Sequence, residues 1–116
     1  MESNTLESVI SKVAFDIVND KILDKNEIDK LLGVLSNDGV YAMWVYAKAE
    51  NNIKENNLME KFDSLFKIVN FTYESNKNWE KFFQAIAENP YNLLFLKDLL
   101  EKTLIYARYH AKAMGD

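Results

Sequence analysis

Helix-breaking residues are scarce in this chain, and this scarcity constrains its fold more than any other feature. The 116 residues include one proline and three glycines, and apolar side chains recur at helical spacing between them. No stretch shows the strict apolar–polar alternation of a half-buried strand. Near the N-terminus, a helix with one buried face is indicated by Leu6, Val9, Ile10, Val13, Ile17 and Val18. The sequence therefore predicts an all-α fold, a compact bundle of five or six helices in a single domain over residues 1–116.

Local start and stop signals divide the helical pattern. Asp24 and Glu27 have the spacing of a capping box and open the second helix. Gly39 is the expected break between the second and third helices, because glycine reaches positive φ without a Cβ penalty. Asn89 precedes Pro90, and a residue before proline is disfavoured in the α region. A helix is therefore expected to end at Asn89, and Pro90 to lie in the first turn of the last helix.

The other boundaries follow from composition and apolar spacing. Asn4 or Thr5 is expected to cap the first helix, and the third is expected to run from Val40 to about Asn51. Residues 51–57 are polar, with four asparagines, and predict a loop. The last three predicted helices are a fourth from about Leu58 to Tyr73, a fifth carrying Trp79, Phe82, Phe83 and Ile86, and a last one reaching about Met114.

Composition narrows the classes of protein to which the chain can belong. It has no cysteine, which excludes disulfides and thiolate metal sites. No apolar run approaches the ~20 residues of a membrane-spanning helix, and the polar, acidic start is unlike a secretory signal. We therefore expect a soluble, cytoplasmic protein that does not insert into membranes. The net charge of −4 provides no overall electrostatic attraction for nucleic acid, so any RNA contact must come from a local patch.

Residues suited to catalysis or metal binding do not form a recognisable arrangement. His110 is the single histidine, and its sequence neighbours offer neither a nucleophile nor a substrate-positioning group. Glu55, Glu60 and Asp63 could bind a hard cation, but they lack the spacing of a calcium loop, and a solvated helix face explains them better. The three glycines are isolated, so no phosphate-binding loop is present. We expect no enzymatic activity and no cofactor.

Positive charge is concentrated near the C-terminus. Lys102, Arg108, His110 and Lys112 lie between positions 102 and 114, where no acidic residue occurs. Arg108 and Lys112 are i, i+4 neighbours and share a helix face. Two interpretations stay open: the cations complement the dipole at the helix C-terminus, or they bind phosphate. Lys48, at the end of the aromatic third helix, is a further candidate for phosphate binding.

The segment after the second helix carries a pattern that is similar to one protein family. The pattern Asn37-x-Gly39-Val40-x-x-Met43-x-x-Tyr46-x-Lys48 resembles the core of the small all-helical subunit of type III-B CRISPR effector complexes, the Cmr family. The order of helices matches across most of the chain. The resemblance implies a non-catalytic scaffold that serves antiviral defence and stacks with copies of itself and other effector subunits. It also implies that Lys48, Arg108 and Lys112 contact the guide–target RNA duplex.

The sequence departs from that family in two ways, and other interpretations stay open. The chain is acidic overall, and its middle region around residues 51–57 is reduced. The small helical subunits of type III-A and type I-A complexes are related alternatives. A stand-alone helical module that binds another protein and no nucleic acid is the second hypothesis. An enzyme using His110 or a carboxylate cluster is a distant third.

Overall fold

The computed structural model describes residues 5–69 and 78–115, and every regular element within them is a helix. The seven helices of these residues are α1 Leu6–Asn19, α2 Lys25–Asp38, α3 Val40–Ala49, α4 Glu55–Lys61, α5 Asp63–Val69, α6 Trp79–Ala87 and α7 Pro90–Ala113. The predicted all-α class is confirmed, and the predicted count of five or six helices is too low.

The extra helix arises within the segment that the sequence predicts as one helix from Leu58 to Tyr73. In the structure α4 begins earlier, at Glu55, and ends at Lys61, and α5 follows after the single residue Phe62. The carbonyl oxygen of Phe62 accepts from the backbone N–H of Leu65 at 2.9 Å and from that of Phe66 at 3.1 Å, so a tighter three-residue bond occurs here beside the ordinary helical one. Apolar spacing continues across so short an irregularity, and therefore does not reveal it. The part of the predicted helix after residue 69 lies outside the described residues.

The helix caps follow the local sequence signals. The Asp24 carboxylate accepts from the backbone N–H of Glu27 at 2.8 Å, and the Glu27 carboxylate accepts from the backbone N–H of Asp24 at 2.9 Å, which completes the capping box of α2. Thr5 caps α1 through its hydroxyl. Asn89 caps α7, with Pro90 at the first helical position. Each cap depends on groups within three residues of one another, so sequence alone locates it.

Gly39 forms the corner between α2 and α3 and belongs to both helix ends. Its φ is 99° and its ψ is −178°, a region that is essentially restricted to glycine. Its N–H donates to the carbonyl of Leu35 at 3.0 Å, and its own carbonyl accepts from the N–H of Met43 at 3.1 Å. One residue therefore ends the first helix and starts the second, as the sequence predicts.

The long helix α7 organises the packing of the other helices. Its 24 residues span about 36 Å, and it contacts α1, α2, α3, α5 and α6. The α1–α7 contact is the most extensive. The buried face of α7 consists of Leu96, Leu99, Leu100, Thr103, Leu104, Ala107 and Ala111. The Cα radius of gyration is 13.4 Å, close to the ~13 Å expected of a compact chain of this length.

Two tryptophans fasten α3 and α6 to the start of α4. The indole N–H of Trp44 donates to the Glu55 carboxylate at 2.7 Å, and that of Trp79 donates to the Asn56 side chain at 3.1 Å. Trp44 also stacks on Phe83 of α6, with ring centroids 5.2 Å apart. Both indoles thereby satisfy their donors while their rings enter the core. Glu55 thus has a structural hydrogen bond, which accounts for a carboxylate at this position.

Candidate anion-binding groove

A groove with a volume of about 480 Å³ runs between α2 and the last turns of α7. The side chains from α2 recur at helical spacing along one face, and those from α7 occupy two adjacent turns. The lining residues are Lys25, Asp29, Leu32, Gly33 and Ser36 of α2 with Arg108, Tyr109 and Lys112 of α7. Two helix faces that are distant in sequence therefore build one concave surface.

Positive charge exceeds negative charge among the lining residues. Three of them are cationic, Lys25, Arg108 and Lys112, and Asp29 is the acidic one. A guanidinium nitrogen of Arg108 lies 3.6 Å from Asp29 Oδ1, and Lys25 Nζ lies 3.4 Å from Asp29 Oδ2. Lys112 has no ion-pair partner among residues 5–69 and 78–115. One carboxylate thus sits between two cations while a third cation remains uncompensated, so the groove keeps a positive excess.

The contact between Arg108 and Asp29 leaves the guanidinium able to bind another anion. The 3.6 Å separation is an ion pair that is longer than a hydrogen bond. Asp29 Oδ1 is buried without a hydrogen-bond partner in the described part of the chain. The Arg108 side chain is 40% exposed. Its N–H donors are therefore held in place by charge but are not consumed by Asp29.

The remaining walls of the groove are shaped by small and aromatic residues. A Cβ built on Gly33 would meet no atom within 4 Å, so the backbone of α2 is open to the groove there. Ser36 donates its hydroxyl to Glu101 at 2.9 Å and accepts at its carbonyl from Lys97 at 3.4 Å, which ties α2 to α7. Tyr109 is 63% exposed. A planar group could stack on its ring next to the cations.

The three residues that the resemblance predicts to bind RNA do not all lie together. Arg108 and Lys112 line the groove, whereas Lys48 is not among its lining residues. The Lys48 ammonium lies 4.7 Å from the ring centroid of Trp44, in cation–π geometry, at the last turn of α3. Lys25 completes the cationic set and was not found from sequence. Lys25 lines the groove because of how α2 and α7 pack against each other, and no local sequence pattern encodes that packing.

The other residues considered for chemistry have structural contacts. The His110 ring packs edge-to-face on Phe15, with centroids 5.7 Å apart. Asp63 forms an ion pair with Lys67 at 3.1 Å. Within the described ranges there is no group of three or more His, Cys, Asp or Glu side chains that could hold a metal ion. The absence of catalytic activity stays a prediction.

Comparison with known proteins identified no relative of this chain. No family model, curated protein or solved structure matches this chain. The similarity to CRISPR small subunits therefore stays a prediction from the sequence pattern. Over the part of the chain that the structure describes, no helix combines the length and the apolar character needed to cross a bilayer.

Proposed function

We propose that this chain is a non-catalytic structural subunit that contacts the phosphate backbone of RNA through the α2–α7 groove. The observation that supports it is that Lys25, Arg108 and Lys112 line one groove in which Asp29 is the one acidic lining residue. Arginine and lysine donors that converge on one concave surface suit phosphate oxygens, and arginine can bind two of them at once.

The assembly in which this contact would operate is a CRISPR RNA-guided effector complex. Support for that part of the proposal comes from the sequence resemblance alone. In such a complex the subunit would stack along the backbone subunits and help to hold the guide–target duplex. The net charge of −4 opposes RNA binding outside the groove. The isolated chain should therefore bind weakly, with a Kd on the order of 100 µM, and more tightly when neighbouring subunits present several grooves to one RNA.

Fluorescence anisotropy with a labelled single-stranded RNA tests the groove. Arg108→Gln and Lys112→Gln should each weaken binding about threefold to tenfold and reduce the slope of log K against log salt by about 0.7. Asp29→Asn should have the opposite effect, because it removes the carboxylate that competes with phosphate for Arg108 and Lys25. A general loss of folding would weaken RNA binding in all three variants, so it would not strengthen binding in Asp29→Asn while weakening it in the other two.

Lys81→Gln is the matched control, since it removes the same charge from an exposed position on α6, away from the groove. Circular dichroism should show that all four variants retain the helical content of the parent protein. Equal affinities for the parent, Arg108→Gln and Lys81→Gln proteins would contradict the groove as the RNA site. Affinity purification of the tagged chain from its host, with sequencing of bound RNA, tests the assembly: CRISPR RNA with effector subunits is the expected result.

A second candidate function has its own supporting observation. Tyr91, Leu94 and Phe95 are 84%, 60% and 39% exposed on the first turns of α7. A cluster of exposed apolar side chains on one helix suits contact with another protein. If the chain is a stand-alone protein-interaction module, the same purification should recover one unrelated protein and no RNA. Tyr91→Ser with Leu94→Ser should then abolish its recovery, whereas Arg108→Gln should not affect it.

A further inference from the structure

The outward face of α7 carries six residues with the spacing of a coiled-coil seam. Successive members are separated alternately by four and three residues, which keeps them on one side of the helix. The six are Tyr91, Phe95, Asp98, Lys102, Ile105 and Tyr109. They lie opposite the buried face of α7, so the helix has one seam toward the core and a second seam toward solvent.

Five of the six residues of the outward seam are exposed. Tyr91 and Tyr109 at its two ends are 84% and 63% exposed, and Phe95 is 39% exposed. Asp98 and Lys102 at its centre are exposed, and Ile105 is half-buried. Neither Asp98 nor Lys102 forms an ion pair with another residue in the ranges 5–69 and 78–115. The centre of the seam thus presents two opposite charges that form no ion pair with residues 5–69 or 78–115.

The seam is complementary to the same seam of a second copy that runs in the opposite direction. If two copies of α7 run antiparallel about a point level with Leu100, position 98 lies opposite 102, position 95 opposite 105 and position 91 opposite 109. Asp98 of each copy then faces Lys102 of the other, Phe95 faces Ile105, and the two tyrosines face each other. A parallel pair would instead place Asp98 against Asp98 and Lys102 against Lys102. Like charges in contact disfavour that arrangement.

We propose that a second copy of this chain docks on the outward seam of α7 in antiparallel orientation, as a two-fold symmetric dimer. The interface is isologous, so each charge pair and each apolar pair occurs twice. Because a single helix from each copy forms the contact and two of its layers are polar, the dimer should be weak, with a Kd of about 100 µM. The pairing requires no RNA, so it can fail or succeed independently of the proposed function.

Cysteine crosslinking reports the orientation directly, because the chain has no native cysteine. Asp98→Cys and Lys102→Cys are prepared as separate proteins, mixed in equal amounts and oxidised with a glutathione buffer. The antiparallel dimer should yield a disulfide between the two different proteins and little product from either alone. Lys81→Cys on α6, mixed with each, is the matched control for random collision. A disulfide from Asp98→Cys alone that matches the yield of the mixture would overturn the antiparallel register.

Charge exchange measured by sedimentation equilibrium provides a second, cysteine-free readout. Asp98→Lys and Lys102→Asp should each weaken self-association about tenfold, since two symmetric ion pairs become two repulsive contacts. The double variant should recover the affinity of the parent, and so should a mixture of the two single variants. A parent protein that remains monomeric at several times the expected Kd, or a double variant that remains as weak as the singles, would refute the proposal.

Discussion

Substitution by alanine should change the stability of the protein in opposite directions at Gly33 and at Gly39. Gly33 lies within α2, whereas Gly39 lies at the corner with φ 99° and ψ −178°. A Cβ placed at either position meets no atom within 4 Å. Steric contact with the rest of the fold is therefore equal at the two positions, and the difference between them isolates the backbone conformation.

The expected magnitudes follow from that conformation. Gly33→Ala should stabilise the protein by about 0.5–1 kcal/mol, because alanine loses less backbone entropy than glycine in a helix. Gly39→Ala likewise reduces the backbone entropy that is lost on folding. It also places a Cβ on a residue whose φ and ψ are essentially restricted to glycine, which costs about 1–3 kcal/mol. We expect a net loss of about 1 kcal/mol. That is a fraction of the ~5–15 kcal/mol typical of a folded domain, so the variant should still fold.

Urea unfolding measures both free-energy changes and thermal unfolding measures the melting temperatures, each followed by tryptophan fluorescence and far-ultraviolet circular dichroism. At about 4 °C per kcal/mol for a chain of this size, the melting temperature should rise about 3 °C for Gly33→Ala and fall about 4 °C for Gly39→Ala. Gly39→Asn should not rescue the loss, because asparagine tolerates the left-handed helical region but not ψ near 180°. Shifts of the same sign for the two alanine variants would refute the assignment of the corner to this backbone conformation.

Two further predictions concern a tyrosine and a helix end. The hydrogen bond from the Tyr41 hydroxyl to Glu80, at 2.7 Å, raises the pKa of Tyr41 above its usual value. The stability that this hydrogen bond provides should be complete below about pH 10 and lost as the pH rises through the pKa of Tyr41 in the folded protein. If the Tyr41 phenolate absorbance titrates in a Glu80→Ala variant as it does in the parent, the raised pKa is contradicted. Lys21 ends α1 with φ 57°, in a cap where its N–H donates to Val18 at 3.1 Å. Lys21→Gly should raise the urea midpoint by the equivalent of about 1 kcal/mol, whereas Lys21→Ala should not raise it.

Features that depend on a few neighbouring residues were predictable from sequence. The capping box of Asp24 and Glu27, the corner at Gly39 and the start of α7 at Pro90 all lie where the local signals place them. Each involves hydrogen bonds or steric restrictions within about four residues, so the sequence window contains the whole cause. The division at Phe62 was not predictable, because the apolar spacing of one long helix and of two short helices separated by one residue is nearly the same.

The amino-acid sequence by itself determined that this protein is helical, where most of its helices begin and end, and which cations cluster near its C-terminus. Tertiary structure alone decided that Arg108 and Lys112 meet Lys25 and Asp29 across a groove, while Lys48 lies over Trp44 instead. It also decided which of the two seams of α7 faces the core. The reason is physical: helical periodicity specifies which residues share a face, but the faces that meet depend on the packing of helices distant in sequence.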